Sequence, residues 1–158
     1  MKPKRTLIVV FISSCLCVWA ETITNYIHLA GIRQFCLLEK DGRYGLAVEM
    51  EKNLNLTHLR KIPLIGLRLE SCGVTSIVDL AGLPLEVLDL QNNPISDISP
   101  IEKMSNLVYF SASGTQVSDI SPIERIANLE RLDIRGTRVT NLASLAKTNI
   151  RVLDIRGL

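Results

Sequence analysis

Ser96–Glu102 reads SDISPIE, and the same seven residues return unchanged as Ser118–Glu124, 22 positions further on. A second pair, LDIRG, occupies Leu132–Gly136 and Leu153–Gly157, 21 positions apart. A chain that repeats itself every 20 to 29 residues or so builds a solenoid, with one supersecondary unit per repeat. No unit can bury its own apolar face. Stacked neighbours therefore share one core and present an extended surface suited to binding rather than catalysis.

Working outward from the duplicated segment, the apolar positions fall into register. One unit has Leu64, Leu67, Leu69, Cys72, Val74, Ile77 and Leu80, and the next has Leu85, Leu88, Leu90, Asn93, Ile95, Ile98 and Ile101. A third has Leu107, Phe110, Ala112, Thr115, Val117, Ile120 and Ile123, and a fourth Leu129, Leu132, Ile134, Thr137, Val139, Leu142 and Leu145. A fifth starts at Ile150, Leu153 and Ile155, and the sequence stops at Leu158 without a closing repeat. That open end is what a fragment of a longer surface protein, a truncated gene or an edge covered by a partner would leave. Alternation within each L-x-L predicts a short strand with one face inward.

This spacing over residues 64–158 resembles the leucine-rich repeat, L-x-x-L-x-L-x-x-N/C-x-L, in its short form of 21–22 residues. The resemblance implies an α/β solenoid: a horseshoe segment with parallel strands on the concave face and short helical turns on the convex face. It also implies a structural ladder at the ninth position, here Cys72, Asn93, Thr115 and Thr137. Small polar groups there can satisfy buried backbone. Asn93-Pro-Ile-Ser-Asp-Ile-Ser-Pro-Ile101 is similar in turn to the repeats of internalin-like bacterial proteins. In that family the concave face typically binds a protein.

Within SDISPIE, Ser99 and Ser121 precede proline and stand three residues before Glu102 and Glu124. Ser-Pro-x-Glu predicts a helix start with serine as N-cap and a capping box. Residues 21–63 fit the repeat less well and are expected to form an N-terminal cap that includes a degenerate first repeat. Ile23, Tyr26, Ile27, Ala30 and Gly31 suggest an amphipathic helix running on through Phe35 to Leu38, before a turn at Asp41-Gly42.

Residues 1–20 read as an export signal. Lys2, Lys4 and Arg5 precede the uncharged, mostly apolar run Thr6–Ala20, and Val18-Trp-Ala20 offers a cleavage site after Ala20. Fifteen residues are short of the ~20 a membrane span needs. The alternatives are a buried or uncleaved segment, or a lipid anchor at Cys15, since Ile12-Ser-Ser-Cys15 resembles a lipobox. The expected location is therefore secreted or associated with the cell envelope. Removing residues 1–20 takes three of the 18 basic residues and none of the 16 acidic ones, leaving a chain one charge negative. No positive field draws it to nucleic acid or an anionic membrane. Cys36 and Cys72 alone remain, too few for a disulfide framework.

No catalytic, metal or cofactor motif is present. His28 and His58 lie in no recognisable constellation, and there is no phosphate loop or Cys-x-x-Cys pair. No cofactor or small-molecule substrate is expected, and no enzyme. The informative positions are those pointing outward on the strands. Arg68, Asp89, Tyr109, Arg131, Asp133, Arg135, Asp154 and Arg156 are the candidates for concave-face protein binding. Tyrosine and arginine are enriched in interface hot spots. In the opposing expectation, the Asp and Arg columns pair with each other and merely solvate the sheet. The leading function is an exported, non-enzymatic protein-binding module. A vestigial surface-protein fragment, or an intracellular regulatory subunit that keeps its N-terminus, are the alternatives.

Overall fold

A computed structural model describes residues 8–10, 23, 25–32, 35–40 and 42–158. Cys15, Trp19 and Ala20, on which export and lipidation turn, lie outside the described residues. The strands are β1 (Ile8–Val10), β2 (Cys36–Lys40), β3 (Arg43–Glu49), β4 (Leu64–Glu70), β5 (Val87–Asp89), β6 (Tyr109–Ser111), β7 (Arg131–Asp133) and β8 (Val152–Asp154). Among the described residues they form one sheet in chain order, parallel throughout except for the antiparallel β2–β3 hairpin.

From β3 onward each return from strand to strand passes through a short 3₁₀ turn: Leu56–Lys61, Val78–Leu80, Ser99–Lys103, Ser121–Arg125 and Ala143–Lys147. Sheet and turns together enclose a continuous row of apolar side chains. Leu88, Phe110 and Leu132 are cross-strand partners in its middle layer, all buried. Where Phe110 enlarges the third unit, Ala112 two positions on makes room, a volume exchange that cores tolerate. Burial thins at the last unit, where Leu142, Leu145 and Ile150 are partly buried and Leu153 and Ile155 are exposed.

The turns start differently from the capping box expected. Ile98 and Ile120 occupy the cap position, and the side chains that cap belong to Asp97 and Asp119, whose Oδ1 atoms accept the Ser99 and Ser121 amides at 2.8 Å. An Asx bond two residues ahead suits a tight 3₁₀ entry, which the longer reach of a Ser-to-N3 bond does not. The same bond recurs from Asn55 to the Thr57 amide, Ser76 to Val78 and Asn141 to Ala143. Every turn thus has a capping side chain in the same place, and the series reaches back to residue 55. With β3 parallel to β4 ahead of it, 43–61 has the strand–turn form of the later units.

The N-terminal helix is shorter than expected. Gly31, at φ +82°, ends it: the Gly31 amide donates to His28 O (2.9 Å) and the Ile32 amide to Ile27 O (3.2 Å). Those two bonds and a left-handed glycine are a Schellman stop. Cys36–Leu38, the end of the helix expected from the local pattern, belongs instead to β2 (Cys36–Lys40), a strand covering the edge of β3.

The ninth-position residues differ in how they tie the solenoid. Asn93 Oδ1 accepts from the Cys72 and Val74 amides (both 3.0 Å), and Nδ2 donates to Leu69, Leu90 and Gln91 carbonyls at 2.6, 2.9 and 3.1 Å. It bridges two units. Cys72 Sγ lies 3.2 Å from Glu70 O and 3.5 Å from Val48 O. Thr115 and Thr137 each donate only to their own unit, at Ala112 O (2.6 Å) and Ile134 O (2.8 Å). Asn93→Ala orphans several buried groups and is expected to cost about 3 kcal/mol or more, against about 1 for Thr115→Ala, in urea unfolding. Equal losses would contradict the bridging role.

Candidate functional site

The parallel register writes the concave face as rows running across the strands. One row is Gly45, Gly66, Val87, Tyr109, Arg131 and Val152. The next is Ala47, Arg68, Asp89, Ser111, Asp133 and Asp154. Arg135 and Arg156 follow two residues beyond Asp133 and Asp154. The eight candidates therefore lie on one face, in three adjacent rows.

Two aspartates of that second row are sunk into the face. Asp89 is 2% exposed and Asp133 9%. Their Oδ1 atoms accept the amides of Gln91 (3.2 Å) and Arg135 (3.1 Å), and Asp154 does the same for Arg156 (3.3 Å). Ser111 repeats the contact with Ser113 at 3.5 Å. These residues turn each chain segment out of its strand, a role that period-2 alternation does not reveal. Its only trace in the sequence is the recurrence of Asp or Ser at the last strand position.

The arginines beside them are largely engaged. Arg68 Nε lies 3.0 Å from Asp89 Oδ2. Arg135 grips Asp133 through Nε (2.9 Å) and Nη2 (2.7 Å), and reaches Asp154 on the next strand at 3.3 Å. Arg156 holds Asp154 in the same two-pronged way. Arg68 and Arg135 thus pair across adjacent strands, whereas Arg156 pairs within its own segment. Arg131 differs: it is exposed and has no ion-pair partner among the described residues. Tyr109, its cross-strand neighbour, is half-buried, and burial, with the Asp89 charge adding to it, raises its phenol above the ordinary range.

The two kinds of aspartate titrate in opposite directions. The Arg156 hydrogen bonds hold Asp154 down at about 2, whereas burial pushes Asp89 up against the Gln91 amide and the Arg68 charge. Asp154 therefore stabilises the fold above the ordinary aspartate range and loses that contribution as pH falls toward 2. Asp89 works the other way, because protonating it favours the folded state. Carboxyl NMR titration is expected to place Asp154 near 2 and Asp89 above a free aspartate; the reverse order would contradict the pairing.

Among the described residues no group of His, Cys, Asp or Glu could hold a metal, and no helix is long and apolar enough to cross a membrane. His28 Nδ1 lies 3.1 Å from Ile32 O, and its ring meets Phe35 edge-on. His58 sits in the 3₁₀ turn Leu56–Lys61.

A family model of leucine-rich repeats in two copies matches residues 85–125. Among solved structures, an internalin C2 from Listeria monocytogenes is 26% identical, with a TM-score of 0.61, over 68% of this chain and 51% of its own. A second internalin of that organism, inlF, is 24% identical with a TM-score of 0.61, over 81% and 36%. The leucine-rich repeat ectodomain of the receptor kinase SOBIR1 from Arabidopsis thaliana is 19% identical with a TM-score of 0.53, over 87% and 90%. Nothing among the curated proteins matches the chain. With its register and its ladder, the protein is a leucine-rich repeat solenoid, a fold typical of protein–protein interaction modules. Within that class its repeats are internalin-like, and the chain spans 51% and 36% of the two internalins.

Proposed function

We propose that the chain is an exported, non-enzymatic module that binds a protein partner across its concave face. The observation that carries this reading is the contrast between neighbouring rows. The aspartates of the acidic row are bonded to their own backbone, with Asp89 and Asp133 buried, whereas Val87, Tyr109 and Arg131 stand outward in an adjoining line and the Arg131 guanidinium has no ion-pair partner among the described residues. An amphipathic aromatic beside an unpaired guanidinium is the side-chain chemistry of interface hot spots. Arg68, Asp89, Asp133, Arg135, Asp154 and Arg156 then serve as a pre-paired, rigid border whose charges a partner meets already oriented.

Export is supported by the basic start and apolar run of residues 1–20 and by the likeness to internalins. A retained N-terminus, with an intracellular role, is favoured by one observation: β1, inside that segment, pairs in parallel with β2. Intact mass of the protein recovered from its producing cells separates the two. Cleavage after Ala20 is expected, with loss of the only tryptophan, Trp19. A lipidated species starting at Cys15 would keep it, and a full-length product would overturn cleavage after Ala20.

For binding, Tyr109→Ala and Arg131→Ala are each expected to weaken a captured partner by about 2 kcal/mol, or roughly thirty-fold. Arg125→Ala with Lys147→Ala, on the convex turns, is the control and should leave affinity unchanged. Loss through the convex pair alone would place recognition on the other face.

A further inference from the structure

The row that carries Tyr109 begins with two residues that have no side chain. Gly45 and Gly66 are cross-strand partners, and above them opens a hollow of about 410 Å³ whose lining includes Cys36, Arg43, Ala47, Ile65, Arg68 and Val87. The charges at its rim are already matched: Arg43 pairs with Glu86 at 3.2 Å and Arg68 with Asp89 at 3.0 Å. The floor is glycine backbone and the wall is aliphatic. Among the described residues a charged occupant finds no free counter-ion there, whereas an apolar side chain would find contact without displacing a salt bridge.

Along the same row, three strands beyond Gly66, stands Arg131, a cation with no ion-pair partner among the described residues. At 4.7–4.9 Å per strand that separation is about 14 Å. An extended peptide advances ~3.3 Å per residue and turns every second side chain to the same side, so its residues i and i+4 stand ~13 Å apart facing one way. Residue i+2 then passes over Val87 and Tyr109.

We propose that the concave row receives an extended segment of a partner protein laid across the strands, with an apolar side chain in the Gly45–Gly66 hollow and an Asp or Glu four residues away on Arg131. This rests on the concave-face reading above and makes it specific. The hollow selects an uncharged anchor, Arg131 selects an acid, and strand spacing fixes the interval.

Gly66 offers a clean way to close the hollow. Its backbone is not left-handed, and a Cβ there would lie 3.7 Å from both Gly45 Cα and Val87 Cβ, ordinary contact distances. The probe is a random nonapeptide phage library selected on the full chain. The expected result is enrichment of peptides with an apolar residue and an acid four positions apart. Gly66→Leu should reduce their binding at least about tenfold, and Arg131→Glu should replace the acid with Lys or Arg on reselection. Arg131 is exposed, so this second variant reads the proposal even where Gly66→Leu lowers stability. Enriched peptides without the interval, or no enrichment at all, overturn the proposal. Peptides that depend on Tyr109 but ignore both variants overturn it while leaving the concave-face reading standing. Peptides indifferent to all three sink both.

Discussion

Each unit of this chain must bury its leucines against the next unit, and the rest of the structure follows from that constraint. The unit that starts at Leu85 has a strand of three residues and one 3₁₀ turn, too little to enclose Leu85, Leu88 and Leu90 by itself. Burial therefore requires neighbours, and the strands' hydrogen bonds must run between units because no partner exists within one. Asn93 is the strongest single expression of this. Its amide satisfies backbone groups of two consecutive units from a fully buried position.

Periodic stacking also fixes which polar residues are occupied. On the convex side, Asn55, Ser76, Asp97, Asp119 and Asn141 each hold an amide in the first two residues of a 3₁₀ turn. On the concave side, Asp89, Ser111, Asp133 and Asp154 each hold the amide that follows a strand. Two periodic sets of side-chain oxygens thus frame each of β5 to β8, and their backbone bonds occupy both. What differs from unit to unit is the row between them, from Gly66 to Val152. Variation is tolerated there because those side chains project from the sheet and carry none of the backbone bonding.

The fold was legible because its signal is repetition: SDISPIE, LDIRG and the leucine spacing state the period outright. Two local readings failed for different reasons. Cys36–Leu38 reads as helical because the pairing that makes it a strand comes from β3, beyond any local window. The serine cap failed because a 3₁₀ entry shortens the reach, moving the cap to Asp97 and Asp119. At the site, alternation placed all eight candidates on one face. It could not separate Asp89, buried and bonded to Gln91, from Tyr109, outward and half-buried, because both are simply alternate positions on a strand. The Gly45–Gly66 hollow was equally hidden, since it needs the register of β3 against β4, including the shift between Tyr44 and Gly45.

The division of labour between faces is open to one direct reading: backbone amide chemical-shift mapping as a bound partner segment is titrated in. Perturbations concentrated at Gly66, Val87, Tyr109 and Arg131, with Asp97–Lys103 and Asp119–Arg125 unmoved, are the expected result. Shifts that gather on those convex turns and leave Tyr109 and Arg131 in place would contradict it.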